Sequence, residues 1–353
     1  MSGVASSAPP ERLPSLRKRL ASGRTIASFV IAFGLIAFFL SRQDRETLVA
    51  TWGLIKNANP ALYIAALAAY YLAFPIRGVR WGVLLQNSGE SKDRIPGLAD
   101  LSEIIYLSWF ANSVVPAKLG DVYRGFLLRK SSGITWSHGM GTIVAERTLD
   151  AIVLVVLMIC AGLLTYGEVL GSAVAGGPAA CVSESLVPTD PSCFLLEVFV
   201  VGAVLAVGLV VGLVVFARFG THLERFLPER IGDIYERFAG ALVLSFDRFP
   251  QLLGLSALAW AAEGSAFWLV GEALGFHLPL ALVVFFALLQ AFLTVIPLTP
   301  GGLGFEWLLA GALSLKGYDP AAALAMTGLY RTISYGSLIV GGAVVFALSD
   351  KTK

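Results

Sequence analysis

Long apolar runs separated by short polar connections occupy almost the whole chain. A run of about 20 apolar residues is the length that crosses a bilayer as one α-helix. Apolar stretches fall at 25–41, 60–85, 98–115, 135–166, 195–219, 250–274, 279–296, 305–315 and 319–348. The pattern predicts an all-α polytopic membrane protein.

Two proline-glycine-acid breaks interrupt the apolar sequence. The first contains Pro116, Gly120 and Asp121, and the second contains Pro297 and a run of glycines at 301–304. Proline removes a backbone donor and glycine loosens the chain, so a helix is expected to break at both places. Broken backbone at membrane depth is tolerated only where protein or a wet cavity covers it. A matched pair of such breaks, one in each half of a chain, indicates a transporter binding site.

Composition supports the membrane class. Apolar residues make up 56% of the chain, charged residues 14%, and the mean hydropathy is +0.76. Soluble domains carry roughly a quarter charged residues. The sequence has no Gly-x-Ser-x-Gly, His-Glu-x-x-His or phosphate-binding-loop motif, and its three histidines are scattered. We therefore predict a protein that is not an enzyme, without cofactor, metal site or nucleic-acid partner.

The distribution of basic residues predicts how the first half crosses the membrane. The polar N-terminus, 1–24, carries five arginines and lysines and no cleavage site after the first apolar run, so it is expected in the cytoplasm. A first transmembrane helix and an outer loop fill 25–59. Lys92 and Arg94 precede the first break and Arg129 and Lys130 follow it. Both ends then lie in the cytoplasm, which predicts a re-entrant hairpin over 98–133.

The second half is predicted to have the opposite orientation. Segment 218–248 interleaves arginines with acids and is typical of a cytoplasmic amphipathic helix. A helix from 250 then runs outward, and the closing helix from 319 returns to leave the tail, 349–353, with Lys351 and Lys353 in the cytoplasm. Hence the hairpin at 279–316 enters from the outer face.

These assignments give two repeat units, 60–166 and 250–348, in opposite orientations. An inverted repeat of this kind is found in transporters. The connection, 167–249, comprises an outer loop, a linking transmembrane helix and the amphipathic helix. The predicted location is the cytoplasmic membrane, with both termini inside.

The loop 167–194 contains Cys181 and Cys193 and no lysine or arginine. A loop without positive charge belongs outside, where a disulfide persists. The two cysteines are either bonded to each other or free.

Ionisable residues inside apolar spans are costly and mark candidate sites. Arg77 and Arg80 lie one turn apart and either serve such a site or snorkel to the interface beside Trp81. Glu146 and Asp150 share one helix face, with Arg147 adjacent. Their net negative charge calls for a further cation, for which Arg331, Arg77 and Arg80 are candidates. This cluster either takes part in function or forms a structural clamp.

Glu263 lies in the middle of the predicted helix 250–274. It is either a proton-coupling acid, a partner for an inner arginine, or a protonated structural side chain.

The breaks themselves offer donors for an anion. Gly301 and Gly302 free backbone amides before a half-helix, where phosphate binds well, although Glu306 is able to cap that half-helix instead. Near the first break, further donors are available from Asn112, Lys118 and Arg124. Asp121 is expected to cap the half-helix after Gly120 or to pair with Arg124.

Four motifs follow one another in order: Arg77-x-x-Arg80-Trp81 with Leu84-Leu85, Asn112-x-x-x-Pro116-x-x-x-Gly120-Asp121-x-x-Arg124, Glu146-Arg147-x-x-Asp150, and Pro297-x-x-Pro300-Gly301-Gly302-x-Gly304-x-Glu306. Over roughly 60–348 they resemble the flippase-like transmembrane family related to the membrane region of lysylphosphatidylglycerol synthase. In that family a soluble aminoacyl-transfer domain can follow, and some archaeal relatives are fused to a glycosyltransferase. Because this sequence ends at Lys353, we expect neither.

The resemblance implies movement of a lipid with an anionic or phosphorylated head between leaflets, the partners being that lipid and the bilayer. Assembly into a homo-oligomer stays open. The alternatives are a membrane-embedded transferase acting on lipid-linked substrates and an accessory scaffold. The site expected to receive the head comprises cations, which are Arg77, Arg80, Lys118, Arg124, Arg147 and Arg331, and balancing acids, which are Glu146, Asp150, Glu263 and Glu306.

Overall fold

A computed structural model describes residues 23–115, 119–175, 228–280 and 317–352, with scattered positions at 204–219 and 282–313. Every regular element in these ranges is helical. The elements are α1 (Gly23–Ser41), α2 (Arg45–Lys56), α3 (Pro60–Asn87), a 3₁₀ turn (Lys92–Arg94), α4 (Leu98–Val114), α5 (Gly120–Ser132), α6 (Trp136–Ala175), α7 (Glu229–Leu244), α8 (Phe249–Ala273), α9 (Pro320–Arg331), a π-helical segment (Thr332–Ser337) and α10 (Leu338–Leu348). The all-α prediction is confirmed for this part of the chain.

Among the described residues, three helices are long and apolar enough to cross a membrane. They are Pro60–Asn87, Phe249–Ala273 and Pro320–Leu348, the last combining α9, the π-helical segment and α10. Each agrees with a predicted span. In α1 the apolar stretch covers only Phe29–Ser41, which is shorter than these spans. The region after it, predicted as an outer loop, contains the helix α2.

Helices α3 and α8 lie side by side in opposite directions. The amide of Asn59, which caps the start of α3, donates to the carbonyl of Ala273 at the end of α8 (2.7 Å). At the other end, the side-chain amide of Asn87 donates to the backbone carbonyl of Ser245, just before α8 (3.1 Å). The two spans therefore share their whole length, and side chains in the middle of one face the middle of the other.

The chain reverses direction at the first break. The amide of Gly120, the first residue of α5, donates to the side-chain oxygen of Asn112 in α4 (2.8 Å). A methyl group on Gly120 would lie 2.0 Å from the carbonyl oxygen of Ser108. Only glycine permits this approach, so α4 and α5 form a tight helical hairpin. Residues 116–118, including Lys118, lie outside the described residues.

Helix α4 ends beside the middle of two spans. The hydroxyl of Tyr335 in the π-helical segment donates to the carbonyl of Ser113, near the end of α4 (3.0 Å). Tyr106 packs edge-on against Phe74, halfway along α3 (5.1 Å between ring centroids). At its start, α4 meets the C-terminus, where Lys351 is 2.8 Å from Asp100.

The last span differs from the uninterrupted helix that its hydropathy predicts. The backbone turns are wider in its π-helical segment, and tyrosine hydroxyl groups of α3 form hydrogen bonds to this segment. Tyr70 donates to the carbonyl of Ser334 (3.2 Å), and the Tyr71 hydroxyl lies 3.0 Å from that of Ser337. Single-turn π segments in α-helices are frequent at functional sites.

One further helix ends later than predicted. Helix α6 continues to Ala175, nine residues into the segment that was assigned to the outer loop. Within the predicted amphipathic segment, Glu229–Leu244 form α7, which packs on α6, where the Phe238 carbonyl closely approaches Gly141.

Candidate functional site

Eight charged side chains meet where α3, α5, α6 and α8 converge. We call them the ionic network: Arg77, Arg80, Asp121, Arg124, Glu146, Arg147, Asp150 and Glu263. Four formal positive charges face four negative ones. The network is therefore neutral as a whole, which is the arrangement that buried charges require.

The innermost pair joins α5 to α6. Arg124 donates two hydrogen bonds to Glu146, at 2.9 and 2.7 Å, and both side chains are completely buried. Arg80 of α3 also contacts Glu146, at 3.1 Å. The guanidinium of Arg124 stacks 3.8 Å above the ring of Trp81. This geometry combines ion pairing with a cation–π contact.

Arg80 links this pair to the next helix. It donates to both oxygens of Asp150, at 2.5 and 3.1 Å, and to the hydroxyl of Ser256 in α8 (2.7 Å). Arg80 is fully buried. Of the three cations proposed from sequence for the cluster on α6, Arg80 is the one that pairs with it. The snorkelling alternative for Arg80 is wrong, because its guanidinium lies inside the protein.

Arg77 binds Glu263 of α8 at 2.5 Å and is 2% exposed. Two tryptophan rings flank its guanidinium, Trp109 at 4.9 Å and Trp260 at 5.6 Å. Glu263 therefore pairs with an inner arginine, which is one of the three roles that the sequence allowed for it. Arg331 lies in the last span, with its guanidinium 5.7 Å from the ring centre of Tyr335.

Arg147 forms the open side of the network. It touches Asp121, Glu146 and Asp150 at 3.3–3.5 Å, longer than the other contacts, and its side chain is 38% exposed. Asp121, in the first turn of α5, is 23% exposed. The structure shows neither of the two roles expected for Asp121: its side chain forms no capping hydrogen bond with the described start of α5, Arg124 turns inward to Glu146, and Asp121 contacts Arg147.

Several buried donors of the network have no hydrogen-bond partner among the described residues. They are the indole nitrogen of Trp260 and the Nε atoms of Arg77, Arg80, Arg124 and Arg147. A buried donor without a partner is costly. Within the described part of the chain, these donors are available to a further acceptor.

Sequence reasoning missed the aromatic residues of the site. The snorkelling alternative placed Trp81 at the interface, but Trp81 is fully buried beneath Arg124 and donates to the hydroxyl of Thr142 (3.1 Å). Trp109 was not singled out at all. The available signal was a tryptophan three residues before Glu263 and another directly after Arg80.

Part of the predicted site lies outside the described residues. This applies to Lys118, to Gly301, Gly302 and Glu306 of the second break, and to Cys181 and Cys193. Asn112 is described, and its side chain binds the Gly120 amide. Among the described residues, no group of three or more histidine, cysteine or acidic side chains has the geometry to hold a metal ion.

The fold and the site define a helical membrane protein with a neutral network of paired charges between its spans. The chain matches the family described as the lysylphosphatidylglycerol synthase TM region over residues 25–342. It belongs to that family, as its motifs predicted.

Its curated relatives include archaeal membrane proteins. A UPF0104 membrane protein of Methanocaldococcus jannaschii is 31% identical over 69% of this chain and 95% of its own length. A UPF0104 membrane protein of Pyrococcus horikoshii is 22% identical, over 83% and 88%. The glycosyltransferase AglD of Haloferax volcanii is 27% identical over 93% of this chain. That match spans 54% of AglD, so this chain corresponds to about half of that protein.

Proposed function

We propose that the protein moves a lipid with an anionic headgroup between the two leaflets of the cytoplasmic membrane. The observation that carries the proposal is Arg147. It is a loosely held and partly exposed arginine at the edge of an otherwise tightly paired network. A phosphate is able to replace its long contacts with short bidentate ones. The three carboxylates around Arg147 orient its guanidinium, but none of them lies close enough to form a short ion pair with it.

A polar row on α3 supports a route for the head. Tyr63, Tyr70 and Arg77 are seven residues apart and so share one face of the helix. The row extends about 21 Å along the helix axis, at 1.5 Å per residue. Its hydroxyl groups bind the π-helical segment, including a 2.7 Å contact between Tyr63 and Thr332. Separation of α3 from that segment would open a polar path while the lipid tails stay in the bilayer.

The predicted hairpins and inverted repeat belong to the same proposal. Two observations support them: α4 starts at one end of the spans and ends beside their middle, and α3 runs opposite to α8. The hairpin at 98–133 would enter from the cytoplasmic face, and the one at 279–316 from the outer face. The second hairpin would bring Gly301, Gly302 and Glu306 to the network.

A second candidate is a membrane-embedded transferase acting on lipid-linked sugars, which the likeness to a protein named as a glycosyltransferase favours. In this chain the candidate base would be Asp150. Arg80 holds both oxygens of that carboxylate. Because both oxygens of the candidate base already accept hydrogen bonds from Arg80, transport is the better supported function.

Leaflet exchange in liposomes tests the proposal. Purified protein is reconstituted with acyl-labelled phosphatidylglycerol, polyprenyl phosphate or phosphatidylcholine, and accessibility of the label to an external quencher is followed over time. The expected result is faster exchange of an anionic probe than of phosphatidylcholine. Exchange of both anionic probes no faster than in empty liposomes would overturn the proposal.

Replacement of Arg147 tests the site. We expect Arg147→Ala to slow exchange of the anionic lipid at least about tenfold, the loss of one charge-assisted contact, and Arg147→Lys to restore part of it. Arg94→Ala is the matched control, since Arg94 is half exposed and pairs with Glu90 away from the network. An Arg147→Ala protein that elutes and melts like the wild type and exchanges lipid at the same rate would remove Arg147 from the site.

A further inference from the structure

The charge balance of the ionic network changes when an anion arrives. Before binding, four arginines face four carboxylates. A phosphodiester head at Arg147 adds one negative charge to a largely buried site. Uncompensated charge in a low-dielectric environment is costly. Uptake of one proton by one of the four carboxylates restores neutrality, and the geometry distinguishes among them.

Two of the acids are held too firmly to take the proton. Glu146 has three arginine partners, of which Arg124 alone donates two hydrogen bonds. Asp150 receives two hydrogen bonds from Arg80 and contacts Arg147 as well. Among the described residues, neutralising Glu146 would leave the buried Arg124 without a counter-charge, and neutralising Asp150 would leave the buried Arg80 with Glu146 as its one carboxylate. The contacts of these two carboxylates therefore argue against either of them as the carrier.

Asp121 is also a poor carrier. It lies in the first turn of α5, where the partial positive charge of the helix N-terminus favours a carboxylate. Its side chain is 23% exposed, so water stabilises the charge further. It also faces Arg147, which the bound head occupies.

Glu263 is the remaining acid. Among the described residues it has one ion-pair partner, Arg77, through one of its oxygens. Arg77 would not be stranded by neutralisation of Glu263, because the rings of Trp109 and Trp260 flank its guanidinium. Two buried donors beside the pair, Arg77 Nε and the Trp260 indole nitrogen, have no partner in the described part of the chain. The pair is therefore open to rearrangement.

Among the described residues, the groups that interact electrostatically with Glu263 come from three helices packed against α8. They are Tyr70, Arg77 and Arg80 of α3, Arg147 and Asp150 of α6, and Tyr330 of α9. Asp150 is the acid among them, and Arg147 is the cation that would bind the head. Loading Arg147 with an anion therefore weakens the positive field at Glu263 and favours its protonated form.

We propose that one proton enters the site with each anionic headgroup and is carried by Glu263. This inference rests on the proposed lipid transport. The proton binds the Glu263 carboxylate, Arg77 keeps its charge between the tryptophan rings, and the head takes the place of the lost negative charge. Release of the head on the other side releases the proton, so lipid movement is coupled to a proton gradient.

The test uses acyl-labelled phosphatidylglycerol or, where that probe is not moved, a phosphodiester-linked polyprenyl lipid. Such phosphates do not titrate near neutral pH, so any pH dependence belongs to the protein. Exchange is followed from about pH 8 to about pH 6 in liposomes that contain a trapped pH dye. The wild-type rate is expected to rise by up to about tenfold per pH unit as the pH falls, because one proton accompanies each lipid. An imposed pH gradient should drive net movement of the lipid between leaflets, and the trapped dye should report a proportional movement of protons.

Two variants of Glu263 and one control assign the carrier. Glu263→Gln mimics the protonated acid, so its exchange should vary less than about twofold over the same range and should move no protons. Glu263→Asp retains a titratable group and should retain the pH dependence. Glu272→Gln is the matched control on the same helix, because Glu272 pairs with His277 outside the network. It should behave like the wild type.

Each result decides a different point. Absence of wild-type exchange at any pH contradicts lipid transport itself. Wild-type exchange that ignores pH and moves no protons overturns the coupling and leaves lipid transport intact. A folded Glu263→Gln protein with full pH dependence and proton flux shows that another group carries the proton, and a folded one without any exchange likewise rejects Glu263 as the carrier.

Discussion

At the scale of single residues, the network contains two kinds of arginine. Arg80 and Arg124 are fully buried, and each makes two hydrogen bonds to a carboxylate. Arg147 is partly exposed and makes only long contacts. The difference follows from position, since Arg147 points toward the start of α5 and the other two point between helices. We therefore expect stability to depend on the buried pairs and lipid binding to depend on Arg147.

Removal of Glu146 is expected to be strongly destabilising. Glu146→Ala would leave the buried Arg124 without a counter-charge among the described residues, a situation that costs about 3–5 kcal/mol, whereas Arg80 would keep Asp150. Arg147→Ala, at the open edge, should cost about 1 kcal/mol or less. The measurement is thermal unfolding of both variants in the same detergent. Equal melting temperatures for the two variants would contradict this division.

At the scale of elements, the hairpin of α4 and α5 depends on one glycine. Gly120 allows the start of α5 to lie against the Ser108 carbonyl, and its amide binds Asn112. The hairpin in turn carries Asp121 and Arg124 into the network. The sequence predicted this break from Pro116 and Gly120, and the break is where it was expected. It did not predict the direction in which Arg124 points.

A methyl group at position 120 should disrupt the hairpin. Gly120→Ala places a carbon 2.0 Å from a carbonyl oxygen, and overpacking of this kind costs about 1–3 kcal/mol. Gly254→Ala in α8 is the control, because a methyl group there meets no atom within 4 Å. We expect a lower melting temperature and slower lipid exchange for the first variant only. A Gly120→Ala protein as stable as the Gly254→Ala protein would refute the close approach.

At the scale of the whole molecule, the end of the chain is tied to the start of the first hairpin. Lys351 lies 2.8 Å from Asp100 and also bonds Glu103, both in the first turns of α4. This contact joins the last span to α4. Burial lowers the pKa of Lys351, but hydrogen bonds to the two carboxylates outweigh that effect and raise its pKa above the ordinary 10.5.

The sign of this shift fixes how the contact depends on pH. A raised pKa means that the contact stabilises the folded protein fully at pH values below the unfolded pKa and is lost as the pH rises through the folded one. Lys351→Met should therefore lower the unfolding free energy by about 1 kcal/mol or less near neutral pH. The difference from the wild type should vanish as the pH rises through the folded-state pKa, which lies above 10.5. A difference that grows between neutral and alkaline pH would reject the ion pair.

The sequence by itself determined that the chain belongs in a membrane, where its three described spans lie, that α4 ends near Pro116, and which ionisable residues are candidates for a site. These follow from hydropathy, proline and glycine, which act locally along the chain. Only the tertiary structure decided that Arg80, rather than Arg77 or Arg331, pairs with Asp150, that Arg124 binds Glu146, and that Arg147 stays open. These pairings depend on how α3, α5, α6 and α8 rotate and approach one another. That geometry is set by packing over the whole interface, which the pattern of a single helix does not contain.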